Sequence, residues 1–221
     1  MSRLAFVCVS LCMSFFAGCA AQQTHRTIEA PTVTSYNTNY SGAKTAIVVG
    51  DFDNRSDYAR GLFSTGIDQL AGQAKTVLKT HLQQTNRFNL MDRDSTTVAA
   101  TEANYLKQTQ NIKGARYAVT GAITEFGRKE VGDKQLFGLL GAGKQQIAYA
   151  KVQLNIVDVL TSEVVQATQG AGEYALSERE ILGFGSNAGY DATLNGKVLD
   201  LAVREAINQL VIAIEQGRWN P

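Results

Sequence analysis

A strict alternation of two kinds of side chain runs from Ala148 to Ile156 and limits the folds open to this chain. One set of alternate positions is entirely apolar, and the set between them carries mostly polar side chains. The apolar set comprises Ala148, Ala150, Val152, Leu154 and Ile156, and the other comprises Tyr149, Lys151, Gln153 and Asn155. Because successive side chains of a strand point to opposite faces, this pattern predicts a long strand with one buried face. We therefore expect a sheet that is covered on one side.

Apolar spacing elsewhere predicts shorter strands and amphipathic helices around that strand. Strands are expected over residues 44–50, 87–91, 115–126 and 164–174, and helices over residues 66–84, 95–108 and 194–214. Gly217 is placed to end the last helix. Together these elements predict an α+β fold in which helices cover a largely antiparallel sheet. Two glycine-containing polar stretches, at about 127–146 and 177–190, interrupt it as insertions.

The N-terminus has the layout of an export signal. Arg3 precedes an uncharged apolar run that is too short to span a bilayer as a helix. The run ends in Phe16-Ala17-Gly18-Cys19, which resembles the lipobox of bacterial lipoproteins, so cleavage and lipidation at Cys19 are expected. Ala20 stands where an inner-membrane retention signal would place aspartate. We therefore expect an outer-membrane lipid anchor with the body facing the periplasm, and an ordinary cleaved signal is the alternative.

These features divide the chain into three parts. Residues 1–18 are the expected lipoprotein signal peptide, 19–43 a lipidated flexible tether, and 44–221 the folded domain. The tether is rich in Thr, Gln, Asn and Ser and has no apolar periodicity. All three cysteines of the chain lie at or before Cys19, so the folded domain has no thiol for a disulfide or a metal.

Candidate catalytic and binding groups are few. The formal net charge is +1, so a nucleic-acid partner is not expected. His81 lies on the first predicted helix without identifiable partners, which favours a structural or surface role. Residues 138–144 follow the start of a phosphate-loop pattern, but Gln145 replaces its Ser or Thr and a strand follows. The acidic stretch 51–54 lacks the glycine and glutamate of a calcium loop. We expect no enzyme activity, no metal and no cofactor.

Three passages follow one another along the predicted domain in a recognisable order. They are Tyr58-Ala-Arg-Gly-Leu62-Phe63-Ser64-Thr65, Val152-Gln-Leu-Asn-Ile-Val157-Asp-Val159 with its Ser162-Glu163 turn, and Gln216-Gly217-Arg218-Trp219. Their order and spacing, together with the lipobox, resemble the CsgG family of curli-secretion lipoproteins over about residues 44–219. The resemblance implies a homo-oligomeric ring in the outer membrane, a secretion channel through which unfolded, curli-like amyloid subunits leave the periplasm.

The resemblance also implies a role for the loop after the first strand. In the family this loop forms the channel constriction, lined by a tyrosine, an asparagine and a phenylalanine. Tyr58 and Phe63 match two of these places, and Leu62 stands where the family has an amide. Such a collar would be apolar and aromatic, so an extended chain could slide past it. The alternative is that the three side chains pack on a neighbour.

The two insertions correspond to the family's membrane hairpins, which implies an oligomeric transmembrane β-barrel. The tip of the first hairpin is expected at Leu136, Phe137, Leu139 and Leu140. In the second insertion, residues 178–180 are consecutive charges, so one of them would face lipid. A second function therefore stays open: a periplasmic, membrane-tethered scaffold that assists the assembly of a surface structure, with accessory proteins, and forms no barrel.

Overall fold

The computed structural model describes residues 30–57, 69–133, 143–175 and 192–221. The strands are β1 (Thr45–Asn54), β2 (Phe88–Met91), β3 (Tyr117–Asp133), β4 (Gly143–Asp158) and β5 (Val164–Ala175). The helices are α1 (Gln69–Gln84), α2 (Thr96–Tyr105) and α3 (Ala192–Glu215). The five strands form one sheet in the order β2-β1-β3-β4-β5, which confirms the α+β class.

The sheet is mixed, so the expectation of a largely antiparallel sheet is wrong for half of its strand pairs. β1 pairs in parallel with both β2 and β3, whereas β3–β4 and β4–β5 are antiparallel pairs. The reason lies in the connections. The chain passes through α1 between β1 and β2, and through α2 between β2 and β3. A crossover of this kind returns the chain to the same end of the sheet, so the strands that it joins run in one direction.

β3 and β4 are longer than the sequence predicts. Their antiparallel register continues to the pair Asp133–Gly143, so most of the first expected insertion belongs to the two strands. The register shifts between Ile123 and Glu125. This bulge returns Phe126 to the covered face, where it is buried.

The core lies between one face of the sheet and the helices α1 and α3. The apolar set that alternates along β4 is buried here as predicted, and Val152 and Leu154 are fully inaccessible. α3 lies directly on β5 because two glycines face it. A Cβ atom placed on Gly170 would lie 2.1 Å from the carbonyl oxygen of Ala202, and one on Gly172 would lie 2.6 Å from Cβ of Leu201.

The chain before β1 is packed on the body rather than free. Residues 31–42, which we call the N-terminal strap, bring Val33 into the core at 2% exposure. The Val33 N–H donates to Oε1 of Gln84, and the Thr34 N–H donates to Oδ1 of Asn208 at 3.0 Å. The expectation of a flexible tether to residue 43 is thus wrong for the strap, because α1 and α3 bind it with side-chain hydrogen bonds and apolar contact.

The C-terminus closes the other end of the core. Gly217 ends α3 with φ +66°, as predicted, and the chain then turns back. Trp219 packs edge-on against Tyr117, with ring centroids 5.4 Å apart, and stacks on Phe88. Of the helices in the described ranges, none combines the length and the apolar character needed to cross a membrane.

Candidate functional site

The three segments that carry the predicted function all leave the sheet at the same end. β1 runs parallel to β3 and reaches this end at Asn54, beside Ile123. β3 ends and β4 begins there, at the pair Asp133–Gly143, and β5 ends there too because Ala175 pairs with Ile147 near the start of β4. We call this the insertion end. The topology therefore brings the stems of the predicted constriction loop and of both predicted hairpins together.

The predicted site residues themselves lie outside the described ranges. These are Cys19 for lipidation, Tyr58, Leu62 and Phe63 for the constriction, and Leu136, Phe137, Leu139 and Leu140 for the hairpin tip. The second insertion, 177–190, lies outside them as well. All of these assignments stay predictions. The structure instead defines the stems that would present them.

The stem of the predicted constriction loop is fixed to the sheet. The Arg55 N–H donates to the carbonyl oxygen of Ile123 at 2.9 Å, which extends the contact of β1 with β3. Oδ1 of Asn54 accepts from the N–H and the hydroxyl of Ser56, at 3.1 and 2.6 Å, and Ser56 is buried. The loop that follows thus starts from a defined point at the insertion end.

Charged side chains of β3, β4 and β5 form ion pairs between these strands on the open face of the sheet. Nζ of Lys151 lies 2.6 Å from Oε1 of Glu125, and Nζ of Lys129 lies 2.5 Å from Oε1 of Glu173. Lys129 also lies over the Tyr149 ring, 5.8 Å from its centroid. These pairs link β3, β4 and β5. They make the open face at this end polar.

Charge is not limited to that face. Arg128 precedes Lys129 in β3, where the register runs without a shift, so the two side chains project to opposite faces. Both side chains are exposed. Where β3 and β4 extend beyond the core, each face of the sheet therefore carries a positively charged side chain, and that of Lys129 is paired with Glu173.

His81 occupies a structural position between the helices. It is 2% exposed, and its two ring nitrogens contact Oε1 of Gln84 at 2.9 Å and Oδ1 of Asp200 at 2.8 Å. The partner that the sequence did not identify is thus Asp200, on α3. No group of three or more His, Cys, Asp or Glu residues in the described ranges could hold a metal ion.

The other two candidate motifs are parts of strands. Lys144 and Gln145 belong to β4, where a phosphate loop would require a helix. In the acidic stretch 51–54, a register shift in β1 puts Phe52 into the core while Asp51 and Asp53 stay exposed. This stretch was expected to be a loop, and it is instead the end of β1.

Sequence reasoning missed two further features. One is the N-terminal strap, which has a single large buried apolar residue, Val33, and no periodicity that would reveal it. The other is the isolation of α2, which has no buried residue at all. Its low apolar periodicity is the sequence signal that could have indicated this.

Known proteins resemble this chain in sequence and in fold. Residues 32–221 match the family model described as "Curli production assembly/transport component CsgG". The chain is 60% identical over 204 residues to a protein of Neisseria meningitidis serogroup B, "Putative lipoprotein NMB1126/NMB1164". That alignment covers 92% of this chain and 91% of the relative.

Solved structures with some likeness to this fold are more distant. The PelC dodecamer from Paraburkholderia phytofirmans is 14% identical, with 83% of this chain and 95% of that chain covered and a TM-score of 0.37. Protein CT253 from Chlamydia trachomatis is 14% identical, with coverage of 78% and 96% and a TM-score of 0.42. Lipoprotein GNA1162 from Neisseria meningitidis is 12% identical, with coverage of 76% and 99% and a TM-score of 0.36.

Proposed function

The chain belongs to the CsgG family, and on that premise we propose that it is a lipid-anchored scaffold of the outer membrane that assembles into a ring. In this proposal the body faces the periplasm and assists the export or assembly of a surface structure, without building a membrane barrel of its own. Its partners are further copies of itself, membrane lipid, and secreted amyloid-like subunits or accessory proteins. No catalytic step, metal or cofactor is part of the proposal.

The lipid anchor is supported by the lipobox that ends at Cys19 and by the description of the Neisseria relative as a lipoprotein. Three acyl chains on one cysteine would hold the protein durably, because each buried methylene contributes about 0.8 kcal/mol. The strap binds the body from Val33 onward. The predicted tether between Cys19 and the strap is then about a dozen residues, which could reach at most about 45 Å at roughly 3.5 Å per residue. The body would stay close to the bilayer.

The charges at Arg128 and Lys129 are the observation that favours a scaffold over a channel. A charged side chain at mid-membrane on the lipid face of a barrel costs about 2–4 kcal/mol, and here the two faces each carry one. Hydrocarbon could therefore begin only beyond the pair Lys129–Ile147. Residues 130–146 are then left for the hairpin, 17 in number. With a two-residue turn, about seven or eight remain for each strand, whereas a membrane strand needs about 9–11.

The composition of that segment points the same way. Four of its residues are charged, namely Glu130, Asp133, Lys134 and Lys144. Apart from Val131, its large apolar residues are confined to positions 136–140. A short apolar tip flanked by charges suits contact with the membrane surface better than a crossing.

A secretion channel is the second candidate, and one observation favours it. The stems of the predicted constriction loop and of both hairpins meet at the insertion end, as a pore built from these segments would require. In that case Tyr58, Leu62 and Phe63 would line the narrowest part, and Phe63→Ala would raise the conductance.

Conductance distinguishes the two candidates. The purified lipidated oligomer is added to planar bilayers, and the current is recorded for wild-type protein and for Phe63→Ala. The scaffold predicts a flat trace for both proteins. Discrete channels with a larger conductance in Phe63→Ala would contradict the scaffold and support the channel. Reconstitution is verified by recovering the lipidated protein with the bilayer lipid.

A further inference from the structure

Large apolar side chains that remain exposed are concentrated in two segments of the described surface. Seven of the eight such residues belong to them. The first segment, which we call the helix patch, comprises Val98, Tyr105, Leu106 and Ile112. The second, which we call the turn patch, comprises Val159, Leu160 and Val164. Exposed apolar residues that occur singly need no explanation, but clusters of them mark interaction surfaces.

The helix patch lies on an element that the rest of the described chain does not support. α2 has ten residues, and none of them is buried. Isolated helices shorter than about 12–15 residues are marginal in water, and helices in proteins are stabilised mainly by packing one face. Val98 and Tyr105 are separated by seven positions and so lie on one side of the helix. This side needs a surface to cover it.

The turn patch is held rigidly. The Leu160 N–H donates to Oδ1 of Asp158 at 2.8 Å, and the Ser162 N–H donates to the carbonyl oxygen of Asp158 at 2.8 Å. Arg116 binds the same carboxylate, also at 2.8 Å. Leu160 projects from this turn with 78% of its surface exposed. A side chain fixed in place loses little entropy on binding, which suits it to be an anchor.

Oligomer geometry connects the two patches. A ring of more than two identical copies requires two different surfaces that fit each other, because each copy meets one neighbour on either side. We propose that the helix patch of each copy packs on the turn patch of the next copy, and that this contact builds the ring. This inference rests on the proposed self-assembly and names the surfaces that perform it.

Charges around the patches fit a contact between unlike surfaces. Glu102 and Lys107 flank the helix patch, and Arg116 and Glu163 flank the turn patch. In the described part of the chain, neither Glu102, Lys107 nor Glu163 has an ion-pair partner. Arg116 is already paired with Asp158, so the turn patch offers the negative charge of Glu163, which is complementary to Lys107 beside the helix patch of the neighbouring copy.

Cysteine cross-linking of the native lipidated protein tests the contact directly. The chain carries no cysteine after Cys19, and the Cys19 sulfur is blocked by lipid, so introduced thiols are the only reactive ones. Glu102→Cys and Thr161→Cys are prepared singly and together, and treated with a short bismaleimide. We expect a ladder of linked multimers from the double variant and no linked species from either single variant. Linked dimers from a single variant would overturn the head-to-tail contact.

Charge insertion gives an independent test. Leu160→Asp and Tyr105→Asp each put a carboxylate into a patch. Both positions are more than 75% exposed, so we expect the fold to be kept, and circular dichroism verifies this. We expect assembly to need at least tenfold more protein. Gln83→Glu, an exposed substitution on α1, should leave assembly unchanged. Unchanged assembly in both patch variants, or absent cross-links in a double cysteine variant that still forms the oligomer, would overturn this inference and leave the proposed function standing. A wild-type monomer would instead contradict the proposed function.

Discussion

Nε2 of His81 lies 2.8 Å from Oδ1 of Asp200, and this contact joins α1 to α3 inside the protein. Nδ1 of the same ring contacts Oε1 of Gln84, the oxygen that also accepts the Val33 N–H. Both ring nitrogens thus face oxygen atoms. The His81 imidazole thus connects α1 with α3, and through Gln84 it also connects them with the N-terminal strap.

Removing the carboxylate should therefore destabilise the protein. Asp200→Ala leaves Nε2 of the buried His81 imidazole without its partner. We expect a loss of about 2 kcal/mol, below the usual cost of a broken buried pair because Asp200 is partly exposed. Urea denaturation followed by Trp219 fluorescence measures this, since Trp219 is the chain's one tryptophan. Glu205→Ala, which removes one partly buried hydrogen bond from Gln209 within α3, should cost about 1 kcal/mol or less. Equal losses in the two variants would contradict the structural role of the pair.

The close approach of α3 to β5 predicts a strong effect at Gly170. A methyl group there would meet the backbone at Ala202 and Ala206, which cannot move without shifting the helix. Gly170→Ala should lower the free energy of unfolding by about 3 kcal/mol, as overpacking does. Gly72→Ala is the matched control, because a Cβ atom there meets nothing within 4 Å. In the interior of α1 it should stabilise the protein by about 0.5–1 kcal/mol. A tolerated Gly170→Ala would show that α3 does not lie where the structure has it.

Stability should also depend on pH through the β4–β5 turn. The Leu160 N–H, and then the Arg116 guanidinium, hold the pKa of Asp158 below its usual value. A carboxylate whose pKa is lowered in the folded state stabilises that state above its unfolded pKa, about 3.9. This stability is lost as the pH falls through the folded value. Asp158→Asn should therefore be less stable than wild type at pH 7, and the gap should close below about pH 4. A gap that widens in acid would refute this.

Cys19→Ser tests the membrane anchor. The substitution removes the predicted acceptor of the lipid, so acyl labelling should disappear and the protein should leave the membrane fraction for the soluble periplasm. Cys12→Ser is the matched control, because position 12 lies within the predicted signal peptide. It should leave labelling and fractionation unchanged. Retention of the Cys19→Ser protein in the membrane would contradict the lipobox interpretation.

Local sequence patterns predict the features that depend only on residues close together in the sequence. The alternation from Ala148 to Ile156 follows from the burial of one face of β4, and Gly217 ends α3 because it adopts a positive φ. The parallel pairs were missed although strands and helices alternate along the first half of the domain, which favours parallel strands.

Other features depend on distant residues and leave no local trace. Asp200 is 119 residues from His81, and Val33 is 51 residues from Gln84. Gly170 and Gly172 do carry a signal, because glycine within a strand often marks a close backbone approach. The candidate segments themselves stay predictions, and the placement of their stems at the insertion end follows from strand order and direction, which the sequence pattern did not fix.

The proposed function requires many lipid-tethered copies to form one closed particle. Electron microscopy of the native lipoprotein, extracted in mild detergent and weighed by light scattering, tests this most directly. We predict a ring with a single integral number of copies, greater than two, and no barrel wall above it. Single copies at every protein concentration would contradict the account.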